Sequence, residues 1–274
     1  MTFFRNYFLV DFGHEIKVTA DINSAEYLAA EGVLVPGEEP GTFKLSSPLV
    51  RWLILQRVIP IVFPFHPRKD IPYFKNSYDL DIFRVLKYAV QSFDKDIISH
   101  ACTRSYKTAK VHVNSISNQH VPRESVYDSE LLRILRNWLN PANMQITGQW
   151  HLISYKSNKR VRHRYSDIVI DSPSGQRIVL ELIATANSAD LDEHFDRAHK
   201  YAKLLSAEET WIIHFTCEDE YIKKPRWPSD NLLKNNNLNV AHFYHNTSFS
   251  IIDLIACWWD GRKNSKHIYR KSLG

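Results

Sequence analysis

Two apolar runs joined by a four-residue turn constrain this chain more than any other stretch. In "RYSDIVIDSPSGQRIVLELIATAN", residues 164 to 187, Asp167 opens the first run and Glu181 stands alone inside "IVLELIA". Ser-Pro-Ser-Gly is turn chemistry, so the two runs are expected to form an antiparallel hairpin. Side chains on a strand alternate faces, which puts Val179, Glu181 and Ile183 on one side and Ile178, Leu180 and Leu182 on the other. Counting outward from the turn brings Asp167 within a residue or two of Glu181. A buried carboxylate must be paired, hydrogen-bonded or holding a metal. Two of them side by side repel, and a divalent cation removes that repulsion. Mg²⁺ commonly takes one or two carboxylates plus phosphate oxygens, with Mn²⁺ as the alternative ion. Two plainer readings stay open: Asp167 as a turn cap and Glu181 as the partner of an arginine.

Around the hairpin the chain reads as α/β. "ESVYDSELLRILRNWL" and "SYDLDIFRVLKYAVQSF" carry helical apolar spacing, as does "SADLDEHFDRAHKYAKLL". "QITGQWHLISY", "YSDIVIDS", "QRIVLELIAT", "ETWIIHFT" and "NVAHFYH" read as strands. The expected second domain therefore runs helix, three strands, helix, strand over residues 76–260. Upstream, "NSAEYLAAE", the hairpin-like "VLVPGEEPGTFKLSS" and "SPLVRWLILQRVI" resemble the end of a winged-helix module, placing a small winged-helix-like domain at 1–62. Pro48 suits a first helical turn, and Pro60 is expected to stop that helix. The proline-bearing "FPFHPRKDIPYFKN" reads as a linker at 63–75, and 261–274 as a basic C-terminal tail.

Composition narrows the class. With 44% hydrophobic residues and only eight glycines, the chain has the makings of packed cores, not of a disordered segment. Three widely separated cysteines without a CxxC pair point away from zinc and from a disulfide framework, and toward a reducing compartment. Neither a secretory signal nor a membrane span is expected: the start "MTFFRNYFLVDFGHE" lacks the tripartite pattern, and "WLILQRVIPIVF" is too short and carries Arg57 and Pro60.

The order helix-Glu, strand-Asp, hairpin, strand-Glu, helix, strand resembles the PD-(D/E)xK, or restriction-endonuclease-like, nucleases. The wider text ("VPRESVYDSELLRIL", "DIVID", "VLELIATA", "LDEHFDRAHKYA", "WIIHFT", "NVAHFYH") looks like the nuclease module of Crinkler-type effectors over roughly 75 to 250. "FKLSSPLVRWLILQRVIP" looks like the winged-helix stretch that precedes this module in members carrying a P-loop ATPase. No GxxxxGK(S/T) occurs here, so no such ATPase is expected. The resemblance implies a restriction-endonuclease-like mixed sheet flanked by helices and a metal-dependent nuclease. Asp167 and Glu181 would be its metal ligands and Glu130, with Glu124 as second choice, its helix acid. Where the family carries a lysine two residues after the strand acid, this chain has Ile183. A replacement cation from the next helix, His194 or Arg197, is the expectation; the plainer reading pairs Arg197 with Asp190 or Glu193.

"SYKSNKRVRHRYS" gathers Lys156, Lys159, Arg160, Arg162 and Arg164 between the first strand and Asp167, at the rim of the expected site. Clustered cations beside acids suit phosphate contacts, though a solvated loop has the same composition. The expected substrate is DNA, with RNA as the alternative, and no base-reading motif stands out. The leading reading is thus a nuclease, an effector or toxin module acting in nucleus or cytoplasm, including a secreted effector inside a host nucleus. The competing readings are an inactive nuclease-fold module that binds nucleic acid or a protein partner, and an interaction module using the winged region.

Overall fold

The structure, a computed structural model, describes residues 7–8, 14–75, 77–105, 107–155, 161–261 and 264–273, with the backbone alone for 56, 104, 153–155, 161–164 and 222. The large sheet has seven strands in the order β10-β9-β8-β7-β6-β5-β4. They are β4 (Gln145–Tyr155), β5 (Val161–Asp171), β6 (Arg177–Ala184), β7 (Glu209–Thr216), β8 (Leu238–His245), β9 (Ile252–Asp260) and β10 (Ser265–Ser272). β6, β7 and β8 run parallel; the remaining neighbours are antiparallel. Parallel strands need covering on both faces, and the sequence supplies it. Even-numbered apolar residues of β5 and β6, such as Ile168 and Leu180, pack against α4 (Ile82–Gln91), α5 (Lys95–Arg104) and α6 (Glu124–Leu139). Odd-numbered residues, including Val169, Val179 and Ile183, meet α7 (Ser188–Leu205) or share its side with α8 (Asp230–Asn236). The result is a mixed sheet flanked by helices.

Residues 265–272, expected as a free tail, instead pair along their length with β9 as the sheet's edge strand. Side chains there alternate between half-buried and exposed, the pattern of a strand with one covered face. The basic residues Lys266, Arg270 and Lys271 had masked that alternation.

The N-terminal unit has its own core of Phe8, Val18, Ala25, Leu34, Phe43, Ile54, Leu55 and Ile59. It comprises β1 (Ile16–Lys17), α1 (Ile22–Ala30), β2 (Leu34–Pro36), β3 (Thr42–Leu45) and a helix in three pieces. The small sheet is ordered β1-β3-β2. The helix begins with α2 (Pro48–Leu53), capped by the Ser47 side chain, which accepts from the Val50 N–H. It continues through a π-helical stretch, Ile54–Val58, into α3 (Ile59–Val62). Pro60 therefore does not end it. A proline ring collides with the carbonyl four residues back, and the wider π turn ahead of Pro60 gives that carbonyl room.

The expected linker 63–75 is docked, not free. Arg133 of α6 donates to the Phe63 and Phe65 carbonyls (3.0 and 2.6 Å), Asn137 to Phe63 (2.9 Å) and the Trp138 indole to Lys69 (3.0 Å). Arg133 and Asn137 stand four positions apart, about one helical turn, with Trp138 beside Asn137, so the proline-rich segment lies along α6 as a strap. Among the described residues, no helix is long and apolar enough to cross a membrane.

Candidate functional site

The hairpin has the register its sequence implies. Pairing runs from Asp171↔Arg177 to Ile168↔Leu180, and one further step sets Asp167 opposite Glu181. At that step the strands part. β6 stays paired with β7 out to Ala184, and β5 with β4 out to Tyr155↔Val161. In place of a ladder bond, Asp167 Oδ2 accepts from the Leu182 N–H at 2.7 Å. The other neighbour is disturbed too: Gln149, opposite Asp167, has φ 56, and the β4–β5 ladder skips it between Gly148↔Ile168 and Trp150↔Ser166. A left-handed backbone at a non-glycine residue costs about 1–2 kcal/mol. Asp167 is thus flanked on both sides by broken ladders at one mouth of the sheet.

Glu181 is 1% exposed, and among the described residues neither carboxylate oxygen has a hydrogen-bond partner. The Ser166 hydroxyl lies near and favours the ionised form, but it does not reach hydrogen-bond geometry and is itself unpartnered. Arg197 of α7 approaches Glu181 Oε2 to 3.6 Å, an ion pair too long to be a hydrogen bond. Burial first, and then the Asp167 charge, push the Glu181 pKa well above its ordinary value. Burial likewise lifts Asp167 to about 6, while the Leu182 N–H and Arg197 pull against it.

The helix acid expected here, Glu130, lies elsewhere. It is buried in a two-point pair with Arg133, Oε1 to Nε at 3.1 Å and Oε2 to Nη2 at 2.9 Å, and also accepts from the Asp94 N–H at 3.0 Å. With both oxygens committed it ties α6 to the start of α5. The second choice, Glu124, lies one and a half turns earlier, at the N-terminus of α6, and faces the site. Its pKa rises to about 8, chiefly by burial and then by the charges of Asp167 and Asp128. Asp128, which sequence reasoning passed over, follows Glu124 by four residues on the same helical face. It is buried and lifted to about 7 by burial and by Asp167, with Arg51 of α2 and a Gln149 hydrogen bond opposing the shift. The i, i+4 spacing of the two acids was visible in the sequence.

Arg197, Lys107 and the neutral imidazole of His194 also adjoin the four acids. Arg197 and His194 come from α7 as expected, yet they bond to each other: Arg197 Nη2 donates to His194 Nδ1 at 2.8 Å. That bond fixes the imidazole as the neutral tautomer, in keeping with a pKa lowered to about 4 by burial and by Arg197. His194 therefore orients Arg197, and Arg197 pairs with Glu181, not with Asp190 or Glu193. A further cation is Lys107, on the segment between α5 and α6, whose Nζ donates to the Ala184 carbonyl. Lys107, Lys110, Glu124, Ile183, Asp190 and His194 line an open cleft of about 250 Å³. Nothing in the local pattern around Lys107 announces this position.

Of the basic run, 156–160 lies outside the described residues, which removes Lys156, Lys159 and Arg160 from view. Arg162 and Arg164 belong by backbone to β5. Among the described residues no group of three or more His, Cys, Asp and Glu side chains forms a ready metal cage. No protein-family model matches the chain, and no curated protein matches it in a sequence search.

Proposed function

We propose that this chain is a metal-dependent nuclease that hydrolyses phosphodiester bonds of DNA, with RNA as the alternative substrate. The observation that carries this reading is Glu181: a buried carboxylate whose two oxygens accept no hydrogen bond among the described residues, set opposite a second carboxylate where two strands separate. A sequence that keeps such a group bears a cost in folding, and a ligand that neutralises it would offset the cost.

The residues present fit a hard divalent ion. The donors are carboxylate oxygens, two suffice when phosphate supplies others, and their mutual repulsion already favours a bound positive charge. Asp167 and Glu181 would hold Mg²⁺, or Mn²⁺. When bound, such an ion polarises a phosphoryl oxygen and lowers the pKa of a coordinated water. The protein's own part is positional. The Leu182 N–H fixes the Asp167 carboxylate, His194 aims Arg197, and Glu124 and Asp128 wall the site on the α6 side. Support for a restriction-endonuclease-like topology, a winged-helix-like N-terminal unit and a Crinkler-type effector role comes from the sequence resemblance, together with the mixed sheet and the placement of the strand acids. A nuclear site of action follows from that resemblance alone.

A second reading, a nuclease-fold module that binds nucleic acid without cutting it, is favoured by two facts: Ile183 is aliphatic, and Arg197 already neutralises Glu181 in part. Supercoiled plasmid incubated with the purified protein and Mg²⁺, Mn²⁺ or EDTA separates the two. Metal-dependent nicking that disappears in Asp167→Ala and Glu181→Ala is expected. Binding without cleavage under every metal would leave the second reading.

A further inference from the structure

We propose that Lys107 is the residue that grips the scissile phosphate, entering the site from the α5–α6 connection and not from β6 or α7. This rests on the nuclease reading above and adds to it a catalytic residue that no pattern near the hairpin contains.

Three observations carry it. Lys107 Nζ donates to the carbonyl of Ala184, the residue after Ile183, so its ammonium reaches the stretch of β6 just beyond Glu181. That is the one hydrogen bond of the ammonium among the described residues, and an ammonium has three donors, which leaves two for the cleft. Lys107 also lines the same cleft as Glu124, Ile183 and His194. Burial lowers its pKa, with the charges of Glu124 and Asp190 opposing that shift.

The surroundings exclude simpler duties. Asp190 is engaged by Lys110 at 3.5 Å, and Glu181 by Arg197. Among the described residues Lys107 forms no ion pair, so its charge is held beside acids without being consumed by one. A half-buried cation of that kind suits a doubly coordinated phosphate oxygen, as a point charge with free donors. An aliphatic Ile183 is then no defect: the ammonium that β6 does not supply reaches the same stretch from another element.

The test pairs cleavage with binding. Wild type, Lys107→Met and Glu181→Ala are compared on supercoiled plasmid with Mg²⁺ and Mn²⁺. Binding of a fluorescein-labelled 20-base-pair duplex is measured in EDTA across a salt series. Lys107→Met is expected to cut at least about 100-fold more slowly, in the range for loss of one donor to a transition-state oxygen. Its plot of log K against log salt should be shallower by about 0.9, the signature of one lost phosphate contact. A lysine that merely braced Ala184 would leave that slope unchanged. Should Lys107→Met lose its cooperative melt, Lys107→Gln, which keeps a donor for the carbonyl without the charge, replaces it.

If wild type cuts, Glu181→Ala does not, and Lys107→Met cuts at the wild-type rate, the lysine assignment is overturned while the nuclease reading stands. If wild type cuts under no metal, the nuclease reading falls, and the salt slope decides for Lys107 alone. A shallower slope keeps its phosphate contact; an unchanged slope, or no duplex binding by wild type, overturns it.

Discussion

Glu130 and Glu181 are equally buried, at 2% and 1% exposure, and their surroundings are opposite. Glu130 receives three hydrogen bonds and a guanidinium held three residues away on its own helix. Among the described residues Glu181 has none, and the cation paired with it, Arg197, stands off at 3.6 Å from a different element. Burial alone therefore does not mark a functional acid. The mark is burial that the protein leaves uncompensated, because a satisfied carboxylate has no chemistry left to offer and an unsatisfied one does.

The contrast is broken most directly by substitution. Glu130→Ala leaves Arg133 as an uncompensated buried charge and should lower stability by about 3–5 kcal/mol, measured by urea denaturation. Glu181→Gln should change stability by less than about 1 kcal/mol, since it replaces a group that burial already drives toward its neutral form, while abolishing cleavage. Equal losses of stability at the two positions would erase the distinction.

A titration sharpens it. Glu124 at about 8, Asp128 at about 7 and Glu209 at about 7, together with Glu181, hold protons in the folded state that the unfolded chain has released. Stability therefore falls as pH rises from the unfolded carboxyl values through these folded ones, by up to about 1.4 kcal/mol per pH unit for each titrating group. Below pH 6.5 the buried histidines oppose this. Burial lowers His214, and takes His242 to about 3 and His245 to about 4, so their contribution is lost as pH falls. Thermal melts should show Tm falling from pH 6.5 toward pH 8.5, with a flatter slope below pH 6.5, and the fall weakened in Glu124→Gln. Added Mn²⁺ should raise Tm more at pH 8 than at pH 5.5, because only the deprotonated carboxylates bind it. A metal-induced shift that is the same at both pH values would count against Asp167 and Glu181 as ligands.

Smaller effects belong to the strap and to His194. Trp138→Phe removes one hydrogen bond to Lys69 and should cost about 1 kcal/mol in the same urea assay. His194→Ala should slow cleavage by loosening Arg197 without altering duplex affinity; an unchanged rate would leave Arg197 positioned by other means.

The acids of the hairpin were legible because a strand has period two and the turn fixes the register, so Asp167 and Glu181 could be paired by counting. Glu130 was misplaced for a reason equally local: Arg133 stands three residues on, the spacing of a helical ion pair, and that partner outweighs position in the motif order. Asp128 was within reach by the same helical arithmetic from Glu124. β10 and the docked strap were obscured by composition, since basic residues and prolines look like surface whether or not a strand or a helix face receives them. Lys107 was beyond any local rule. Its neighbour at Ala184 lies 77 residues away, and only the completed sheet brings the two together.

That separation has a consequence for assembly. Asp167 and Glu181 close a short loop and can meet as soon as one hairpin zips, whereas the ammonium arrives only through a contact of high sequence separation, which forms late and opens early. A chain caught partway through folding, or one that has frayed near the α5–α6 connection, carries the carboxylates without their companion cation. Chemistry would then be the last property the molecule acquires and the first it surrenders.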